Sequence, residues 1–449
     1  MKVALHTLGC KLNYAETSSV ADQFRSNGFT VSDISNINDV IVINSCSVTD
    51  NADKECRRII RKALKLNPNA FIIVTGCYAQ LKPEEIASIG GVDLVVGSSE
   101  KFNLFNYENK FKKLNTPKIH VGDISIEDSF GIAFSSENDA RTRAFLKVQD
   151  GCDYNCSFCT IPLARGGSRS QSIINAFEQA QSLVTNGYKE LVITGVNVGD
   201  FGKNSNENFY DLLLKLHDVE GLERIRISSI EPNLLSDDII KLASKSDRLL
   251  PHFHLPLQSG SNEILGKMKR RYKVENYCDR VNYIKNMIPN CAIGVDVIVG
   301  FPSETEVNFN ETFTFLNDID VSYFHVFTYS ERENTPAASL GNPVPVNIRR
   351  ERTSRLRILS EMKKFDFIKK NLNKTYKVLF ENAIPNEENI IYGWSENYIR
   401  VGVPLDLNLD NEIVETKLNS FNGRFCEGSI ANFERNSNNK LFLPVLNFS

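Results

Sequence analysis

Residues 148–162, VQDGCDYNCSFCTIP, contain three closely spaced cysteines, Cys152, Cys156 and Cys159, and no fourth. In electron carriers, cuboidal iron–sulfur clusters are held by four cysteine thiolates, one for each iron. A set of three cysteines leaves one iron without a protein ligand, and an open metal position is typical of a catalytic site. A zinc knuckle or a group of buried structural thiols is the alternative interpretation.

The spacing Cys152-x3-Cys156-x2-Cys159, with Phe158 directly before the last cysteine, resembles the signature of radical S-adenosylmethionine (SAM) enzymes. In that superfamily the open iron chelates the amino and carboxylate groups of the methionine part of SAM. One electron then splits the sulfonium and releases a 5′-deoxyadenosyl radical. The resemblance therefore implies a [4Fe-4S] cluster and SAM as cofactors, with Phe158 beside the cofactor.

The composition limits the class of protein. A chain of 449 residues with 41% hydrophobic residues is long enough for two to four domains with real cores. No apolar run approaches the roughly twenty residues of a membrane span, and the start, MKVALHTLGC, does not resemble a secretory signal. We therefore expect a cytoplasmic chain without membrane contact, whose clustered cysteines are reduced and available to metals. The net charge of −3 argues against nonspecific wrapping of nucleic acid but leaves room for a local basic face.

The first 112 residues repeat one pattern. VALHTLGC, DVIVINSC and AFIIVTGC each read as a buried strand, and helix-like segments follow them. Such βα repetition predicts a parallel sheet in an amino-terminal domain, residues 1–112. A polar connection follows, in which KIHVGDI reads as one short strand.

Residues 138–370 form a second βα series. Amphipathic segments separate most of its strand candidates, as crossover helices do. Six such units are too few for a closed eight-stranded barrel and fit the partial (β/α)6 barrel of radical SAM enzymes. The strand candidates are RAFLKVQDGC, ELVITGVNVGD, RIRISSIEP, HFHLPLQSG, AIGVDVIVGF and SYFHVFTYS.

The last part of the chain has a different pattern. Residues 346–372 read as one long basic amphipathic helix, and short strands separated by turns follow it. We predict a small antiparallel, OB-like barrel over residues 371–440. The expected fold class is therefore α/β, with an all-β carboxyl-terminal domain.

Cys10, Cys46 and Cys77 form a second set. Each follows an apolar strand by one or two residues, at intervals of 36 and 31 residues, close to one βαβ unit. The carboxyl ends of parallel strands share one edge, where ligands bind, so the three thiols are expected to converge. The alternative is three separate buried cysteines, since Cys packs as a small hydrophobe. The other four cysteines lack this context and are predicted to be structural: Cys56, Cys278, Cys291 and Cys426.

Several motifs together resemble the methylthiotransferase family of radical SAM enzymes: LGCKLNYAET, NSCSVT, GCYAQ, KVQDGCDYNCSFC, IPLARGGSRS, TGVNVGD, SSIEP, FHLPLQSGS and DVIVGFPSET. The predicted domain order is also similar, with a TRAM domain as the last unit. Among the branches, GCKLNYAET, DGCDYNCSFC and FHLPLQSGS look most like the tRNA N6-threonylcarbamoyladenosine methylthiotransferases. Sister branches act on isopentenyladenosine in tRNA or on an aspartate of a ribosomal protein.

The resemblance implies a reaction that replaces the C2 hydrogen of the modified adenine, next to the anticodon, with a methylthio group. That hydrogen is not acidic, so a radical must remove it, and the chemistry belongs to the cofactors rather than to a catalytic side chain. The cluster at Cys152, Cys156 and Cys159 would supply the radical, while a second [4Fe-4S] cluster at Cys10, Cys46 and Cys77 would hold the methylated sulfur. Two SAM molecules per turnover follow, with tRNA as substrate and flavodoxin or ferredoxin as a low-potential electron donor.

Other positions match the family more weakly. Residues expected to contact SAM lie at predicted strand ends: Thr194, Gly195, Asn197, Glu231, Gln258 and Gly300. Arg165 and Arg169 follow the cysteine loop and are candidates for binding phosphate or the substrate's threonyl carboxylate. Aromatic and basic residues of the last domain are candidates for stacking on RNA or, alternatively, for its core: Trp394, Tyr398, Arg400, Phe421, Arg424 and Phe425. A noncatalytic iron–sulfur RNA-binding or redox-sensing protein is the alternative from another class.

Overall fold

The computed structural model describes residues 1–135, 142–382, 389–405 and 409–430. The strands are β1 Lys2–Thr7, β2 Thr30–Ser32, β3 Val40–Ser45, β4 Phe71–Gly76, β5 Leu94–Val96, β6 Lys118–His120, β7 Arg143–Lys147, β8 Gln149–Asp150, β9 Arg169–Ser170, β10 Glu190–Thr194, β11 Arg224–Ile227, β12 His252–His254, β13 Ala292–Val299, β14 Tyr323–Thr328, β15 Thr375–Phe380, β16 Ile390–Ser395, β17 Arg400–Pro404, β18 Ile413–Phe421 and β19 Cys426–Ser429. The α-helices are α1 Lys11–Ser26, α2 Asp50–Leu66, α3 Cys77–Leu81, α4 Pro83–Ala87, α5 Leu104–Tyr107, α6 Ile161–Arg165, α7 Ile173–Thr185, α8 Phe209–His217, α9 Asp237–Lys245, α10 Asn262–Lys267, α11 Val274–Met287, α12 Glu306–Asp318 and α13 Val346–Asn371.

The amino-terminal strands form one parallel sheet in the order β2-β1-β3-β4-β5-β6. Every residue of β3 and β4 is buried, because successive side chains point to opposite faces and both faces are covered. Ile41 and Ile43 pack in one hydrophobic cluster with residues of α2, and Val40 and Val42 pack in another with Phe24 of α1. The short strand expected in KIHVGDI is β6, which pairs with β5, so the sheet extends beyond residue 112.

The second βα series forms a partial barrel, which confirms the expected fold. Parallel pairing joins β7, β10 and β11 in one sheet and β12, β13 and β14 in another. Isolated bridges from Ile225 to Leu249 and from Ser229 to His254 link the two halves between β11 and β12. All six predicted strands are present, and in the described residues β7 and β14 are not paired with each other.

The amino-terminal domain covers the open edge of this barrel. Helix α1 packs against β7, and residues 133–135 run antiparallel beside the same strand. There the Ser135 amide donates to the Phe145 carbonyl at 2.9 Å, and the Lys147 amide donates to the Ala133 carbonyl at 3.0 Å. These contacts satisfy backbone groups that an exposed edge strand would leave unpaired. Elements from both domains therefore meet at the start of α1.

The carboxyl-terminal strands close into a barrel in the order β15-β16-β17-β19-β18, as expected for a TRAM domain. The predicted antiparallel pairing is wrong for one pair, since β17 and β19 run parallel, while the other pairs are antiparallel. The long helix predicted over 346–372 is α13, and it leads directly into β15. The predicted domain bounds at residues 138 and 440 lie outside the described residues. Within the described part of the chain, no helix is both long enough and apolar enough to cross a membrane.

Candidate active site between two cysteine triplets

Cys10, Cys46 and Cys77 follow three neighbouring strands, β1, β3 and β4, at their carboxyl ends. The expected convergence is visible in the packing of Gly9, where a Cβ would lie 2.7 Å from Cys46 Cβ and 2.9 Å from its Sγ. Gly9 also has φ of +103°, so both its conformation and its surroundings favour glycine. The structure therefore brings the second cysteine set to one edge of the sheet.

Cys152, Cys156 and Cys159 lie in the loop between β8 and α6. Each sulfur accepts a hydrogen bond from nitrogen: Cys152 Sγ from the Tyr154 amide at 3.3 Å and Cys159 Sγ from the Ile161 amide at 3.4 Å. Cys156 Sγ accepts from Arg270 Nη1 at 3.1 Å. Hydrogen bonds of this kind stabilise cysteine thiolates bound to iron and tune the cluster potential.

Burial strongly affects the thiols of both sets. It raises the pKa of Cys46, Cys152 and Cys159 to about 12. Without metal, these groups hold their protons at neutral pH, and metal binding must displace them. The sites are therefore suited to metal-bound thiolates in a dry environment rather than to free reactive thiolates.

The sulfurs of each triplet are too far apart for a single zinc ion. In the described part of the chain, the only three potential ligand atoms that all lie within 4.8 Å of one another belong to His254, Asp296 and His325. Neither cysteine triplet is that compact. A zinc ion with Zn–S bonds of about 2.3 Å would hold its sulfurs roughly 3.8 Å apart. Sulfurs that are farther apart argue against a zinc knuckle, while three thiols with no fourth suit a cluster with one open iron, so the donor set fits the group that the sequence implies.

A buried network of charges connects the two sites. Glu16 of α1 accepts from Lys101 Nζ at 2.5 Å, Lys147 Nζ at 3.1 Å and Arg165 Nη1 at 2.9 Å. Arg165 Nη1 also donates to Asp150 Oδ1 at 2.9 Å, directly before the cysteine loop. The Arg165 charge in turn acts on the Cys77 thiol, whose pKa burial raises. Residues of the amino-terminal domain and of the barrel thus share one network.

Arg165 and Arg169 are placed differently from what the sequence suggested. Arg165 is only 2% exposed, and its guanidinium also donates to Asn13 Oδ1 at 2.6 Å. Arg169 Nε donates to the Ser129 carbonyl at 3.0 Å, and its Nη1 donates to the Arg165 carbonyl at 2.8 Å. Both guanidinium groups are held by the protein itself. Contact with a substrate carboxylate stays a prediction, and for Arg165 the geometry favours a role in joining the domains.

Several of the candidate SAM residues lie together. The backbone amide of Asn197 donates to Gln149 Oε1 at 2.9 Å, and Asn197 Oδ1 accepts from the backbone amide of Glu231 at 3.2 Å. A Cβ on Gly195 would lie 2.8 Å from Gln149 Oε1 and 3.1 Å from the Gln149 carbonyl oxygen, so glycine allows Gln149 to pack closely there. Thr194 is buried at the end of β10, and its hydroxyl donates to a carbonyl of its own strand. The ends of β10 and β11 therefore form one connected wall.

The remaining candidates lie on the other half of the barrel. Gln258 has φ of +72°, and its amide donates to the Asp296 carbonyl at 2.8 Å. Gly300 is tightly packed, since a Cβ there would lie 2.3 Å from Arg349 Cγ. Phe158 packs against a small apolar cluster that includes Phe301. Phe158 and Gly300 are thus both held by packing at this half of the barrel.

Sequence reasoning gave no role to Arg270. Arg270 forms an ion pair with Glu231 and also contacts Cys156, so it links a candidate cofactor residue to the cysteine loop. It likewise missed the Asp296 group, in which Oδ1 lies 2.8 Å from His254 Nε2 and 3.1 Å from His325 Nδ1. A single carboxylate within the apolar strand AIGVDVIVGF was the available signal for Asp296. Both imidazoles are already bonded to one oxygen, so this is a hydrogen-bonded group.

Trp394 and Tyr398 of the carboxyl-terminal domain lie against the partial (β/α)6 barrel. Tyr398 stacks on His252 with ring centroids 4.4 Å apart, and Trp394 stacks on Tyr398 at 4.5 Å. Arg226 Cζ lies 4.9 Å from the centre of the Tyr398 ring, and Arg224 donates to the Trp394 carbonyl at 3.1 Å. These aromatics lie where the carboxyl-terminal domain contacts the partial (β/α)6 barrel. Their position therefore does not support the predicted stacking on RNA.

The other aromatic and basic candidates of this domain divide between core and surface. Phe425 is buried, with its ring 5.2 Å from Tyr392, and Phe421 lies 6.2 Å from Phe365 of α13. Arg400 is exposed and lies over the Tyr392 ring at 4.3 Å. Arg424 is exposed as well, so Arg400 and Arg424 are the candidates whose positions suit contact with RNA.

Comparisons with known proteins agree with this geometry. Residues 2–97 match the family described as "Uncharacterized protein family UPF0004", and residues 146–316 match the radical SAM superfamily. The chain is 41% identical to a threonylcarbamoyladenosine tRNA methylthiotransferase of Bacillus subtilis (strain 168), over 93% of each chain. It is 40% identical to a protein of the same name from Aquifex aeolicus, covering 89% of this chain and 96% of that one.

More distant relatives mark the limits of the likeness. A tRNA-2-methylthio-N(6)-dimethylallyladenosine synthase of Clostridium botulinum is 35% identical, over 93% of this chain and 95% of that one. Among solved structures, the radical SAM methyltransferase TsrM of Kitasatospora setae has a TM-score of 0.53 and covers 75% of this chain and 77% of its own. At 14% sequence identity, this likeness shows a shared fold. From the two full-length relationships above 30% identity, the chain belongs to the methylthiotransferase family of radical SAM enzymes.

Proposed function

We propose that this protein inserts a methylthio group at C2 of N6-threonylcarbamoyladenosine next to the anticodon of tRNA. The observation that carries the proposal is the pairing of two three-cysteine sites through one buried network, which begins at Asn13 and Glu16 in the motif GCKLNYAET. The choice of nucleoside is supported by the higher identity to relatives named for threonylcarbamoyladenosine, 41%, than to those named for dimethylallyladenosine, 35%.

The cysteines would hold the two [4Fe-4S] clusters of this family, one at each triplet. Bound there, the clusters and SAM supply removal of the C2 hydrogen by a radical and delivery of a methylated sulfur, with two SAM used per turnover. The chain's own residues position these groups. Arg270 holds Cys156 and Glu231 together, while Gln149 and Asn197 order the wall where SAM is expected to bind.

Water must be kept from this chemistry, and the fold does so by enclosing the sites. Cys46, Cys77 and Cys156 are buried, and the network around Glu16 closes the space between the two domains. Cys10 is the exposed member of its triplet, so it marks the side on which a substrate can approach. These features favour an enzyme over a cluster protein with full ligation.

The partners follow from the proposed reaction. A tRNA substrate suits a carboxyl-terminal barrel with exposed Arg400, and the reductive step requires a low-potential donor such as flavodoxin or ferredoxin. Both partners are expected in the cytoplasm.

A second candidate is a dimethylallyladenosine, that is isopentenyladenosine, methylthiotransferase, because relatives of that name cover 93% of this chain. Mass spectrometry of nucleosides from tRNA of a strain lacking the gene separates the candidates. We expect loss of only the methylthio form of threonylcarbamoyladenosine, restored by the wild-type gene. Loss of the methylthio isopentenyl form would favour the second candidate, and intact tRNA nucleosides would contradict both and point to the ribosomal-protein branch.

A further inference from the structure

Lys11 is the residue directly after Cys10 and the first residue of α1. Helix α1 covers the open edge of the barrel at β7, so the lysine stands where the amino-terminal domain meets the barrel. In the described residues its ammonium has neither a hydrogen bond nor an ion pair. Burial lowers the pKa of Lys11, and the titratable groups that also act on it come from the other two domains: Tyr398, Arg143, Arg226 and Glu190.

The other cations of this region have partners. Arg226 Nε donates to Glu190 Oε1 at 2.7 Å, Arg224 Nη1 lies 3.4 Å from Glu190 Oε2, and Arg143 Nη2 lies 3.4 Å from Glu381 Oε1. His252 adds no charge, because burial together with the nearby Arg226 lowers its pKa well below the ordinary value. Lys11 is thus the member of this group that forms no ion pair with a carboxylate in the described part of the chain.

The charge of the region is therefore positive. Three carboxylates, Glu190, Glu381 and Glu396, face the four cations Lys11, Arg143, Arg224 and Arg226, which leaves an excess of one positive charge with Lys11 protonated. An enclosed ammonium without a partner is costly, and an anionic ligand removes that cost. The site is consequently suited to an anion that enters the barrel from the side of Cys10.

The substrate of the proposed reaction carries such an anion. The threonylcarbamoyl group ends in a carboxylate, whereas a dimethylallyl group is uncharged and apolar. An adenine whose C2 faces the site at Cys10 brings its N6 substituent close to the next residue, Lys11. Arg165 offers no comparable contact, since Glu16, Asp150 and Asn13 already surround its guanidinium.

We propose that Lys11 binds the carboxylate of the threonylcarbamoyl group and thereby selects this nucleoside over the dimethylallyl form. The inference rests on the proposed function and adds to it the residue that sets specificity. A dimethylallyl group would leave the ammonium unpaired, so the pocket rejects it through the loss of a charge-assisted hydrogen bond. Such a bond changes affinity by about 10- to 100-fold.

The test compares two RNA ligands on the holoenzyme with both clusters reconstituted. One is an anticodon stem-loop that carries threonylcarbamoyladenosine, and the other is the same RNA with the threonyl carboxylate as a methyl ester. The Kd of each RNA and the kcat/KM of methylthiolation are measured. Wild-type enzyme is expected to prefer the acid by about 10- to 100-fold. Lys11→Met should abolish the preference, and Lys11→Arg should retain most of it.

Lys62→Met is the matched control, because it removes one positive charge from the exposed face of α2 in the same domain. It should keep the wild-type preference for the acid. The iron content of each variant shows that the cluster beside Cys10 is intact. Because the preference is a ratio within one protein, partial loss of folded enzyme does not change it.

Three results would overturn the inference: an equal preference in wild type and Lys11→Met, a wild-type enzyme that accepts acid and ester equally, or a Lys11→Met effect confined to the Kd of SAM. The last would assign the lysine to the carboxylate of SAM. A wild-type enzyme inactive on both RNAs would instead contradict the proposed function.

Discussion

Replacing Glu16 by glutamine removes the central charge of the buried network while keeping the size of the side chain. The Glu16 carboxylate is completely buried and contacts Lys101, Lys147 and Arg165 at 2.5 to 3.1 Å. After the substitution these three cations face one carboxylate, Asp150. The pKa of Glu16 is far below its ordinary value, because the three cations outweigh the effect of burial. The wild-type side chain is therefore ionised at neutral pH, and the variant differs from it by a full charge.

The size of the effect follows from two opposing contributions. At an effective dielectric constant of 20, each attraction at about 4 Å amounts to about 4 kcal/mol, so three of them amount to roughly 12 kcal/mol. Glutamine avoids the desolvation of the carboxylate, which offsets most of this loss. Breaking a buried ion pair by removing one partner costs about 3–5 kcal/mol in practice. We expect a loss of that size in the free energy of unfolding.

Urea unfolding followed by circular dichroism measures this loss under anaerobic conditions. The midpoint of the variant should fall by on the order of 1 M. Glu55→Gln is the matched control, since Glu55 forms an exposed pair with Arg58 at 2.6 Å on α2 and its loss should leave the midpoint nearly unchanged. Equal midpoints for the Glu16 and Glu55 variants would refute the view that the network holds the two domains together.

Three further outcomes are expected. Glu190 is buried, and although burial raises its pKa, Arg226 and its neighbours lower it to about 2. Its contribution of about 3 kcal/mol to stability is present above pH 4.3 and disappears as the pH falls toward 2. The unfolding midpoint of Glu190→Gln should therefore be lower than that of the wild type at pH 7 and should change less between pH 5 and 3; equal slopes in the two proteins would contradict this. Cys10→Ala and Cys156→Ala should each keep about half of the wild-type iron. Only Cys10→Ala should keep a SAM-dependent change in the electron paramagnetic resonance spectrum, and such a change in Cys156→Ala would show that the two sites are assigned the wrong way round. Arg270→Gln removes a positive charge and a hydrogen bond from Cys156 Sγ. The reduction potential of the cluster expected at Cys152, Cys156 and Cys159 should therefore fall in a redox titration, and an unchanged potential would show that the contact has no electronic effect.

Much of the fold could be predicted because its signals are local. Each apolar run that ends in a small residue and a cysteine forms a strand with its thiol at the carboxyl end, as at Cys46 after β3 and Cys77 after β4. The six barrel strands were found from the same kind of pattern. The assignment of the cysteines and SAM contacts as ligands stays a prediction.

Residues whose partners lie far away in the chain could not be placed in this way. Arg165 was a candidate for binding phosphate or the substrate's carboxylate, yet the carboxylate it contacts is that of Glu16, 149 residues earlier in the chain. Arg270 lies among the basic residues of KMKRRYK, 267–273, where nothing local indicates that it contacts Cys156, 114 residues earlier. Tyr398 looked like an RNA-binding aromatic and lies against the barrel instead. No local pattern carries information of this kind.

The sequence by itself predicted two sites of three cysteines each, because ligand spacing within a loop and repetition of βα units are both short-range properties. It also determined the family, through motifs that include every one of these cysteines. Only the tertiary structure decided which charges face the sites: Glu16 and Arg165 between them, Arg270 beside Cys156 and Lys11 without a carboxylate partner among the described residues. The physical reason is that the energy of a buried charge depends on its neighbours in space, and these neighbours come from three separate parts of the chain.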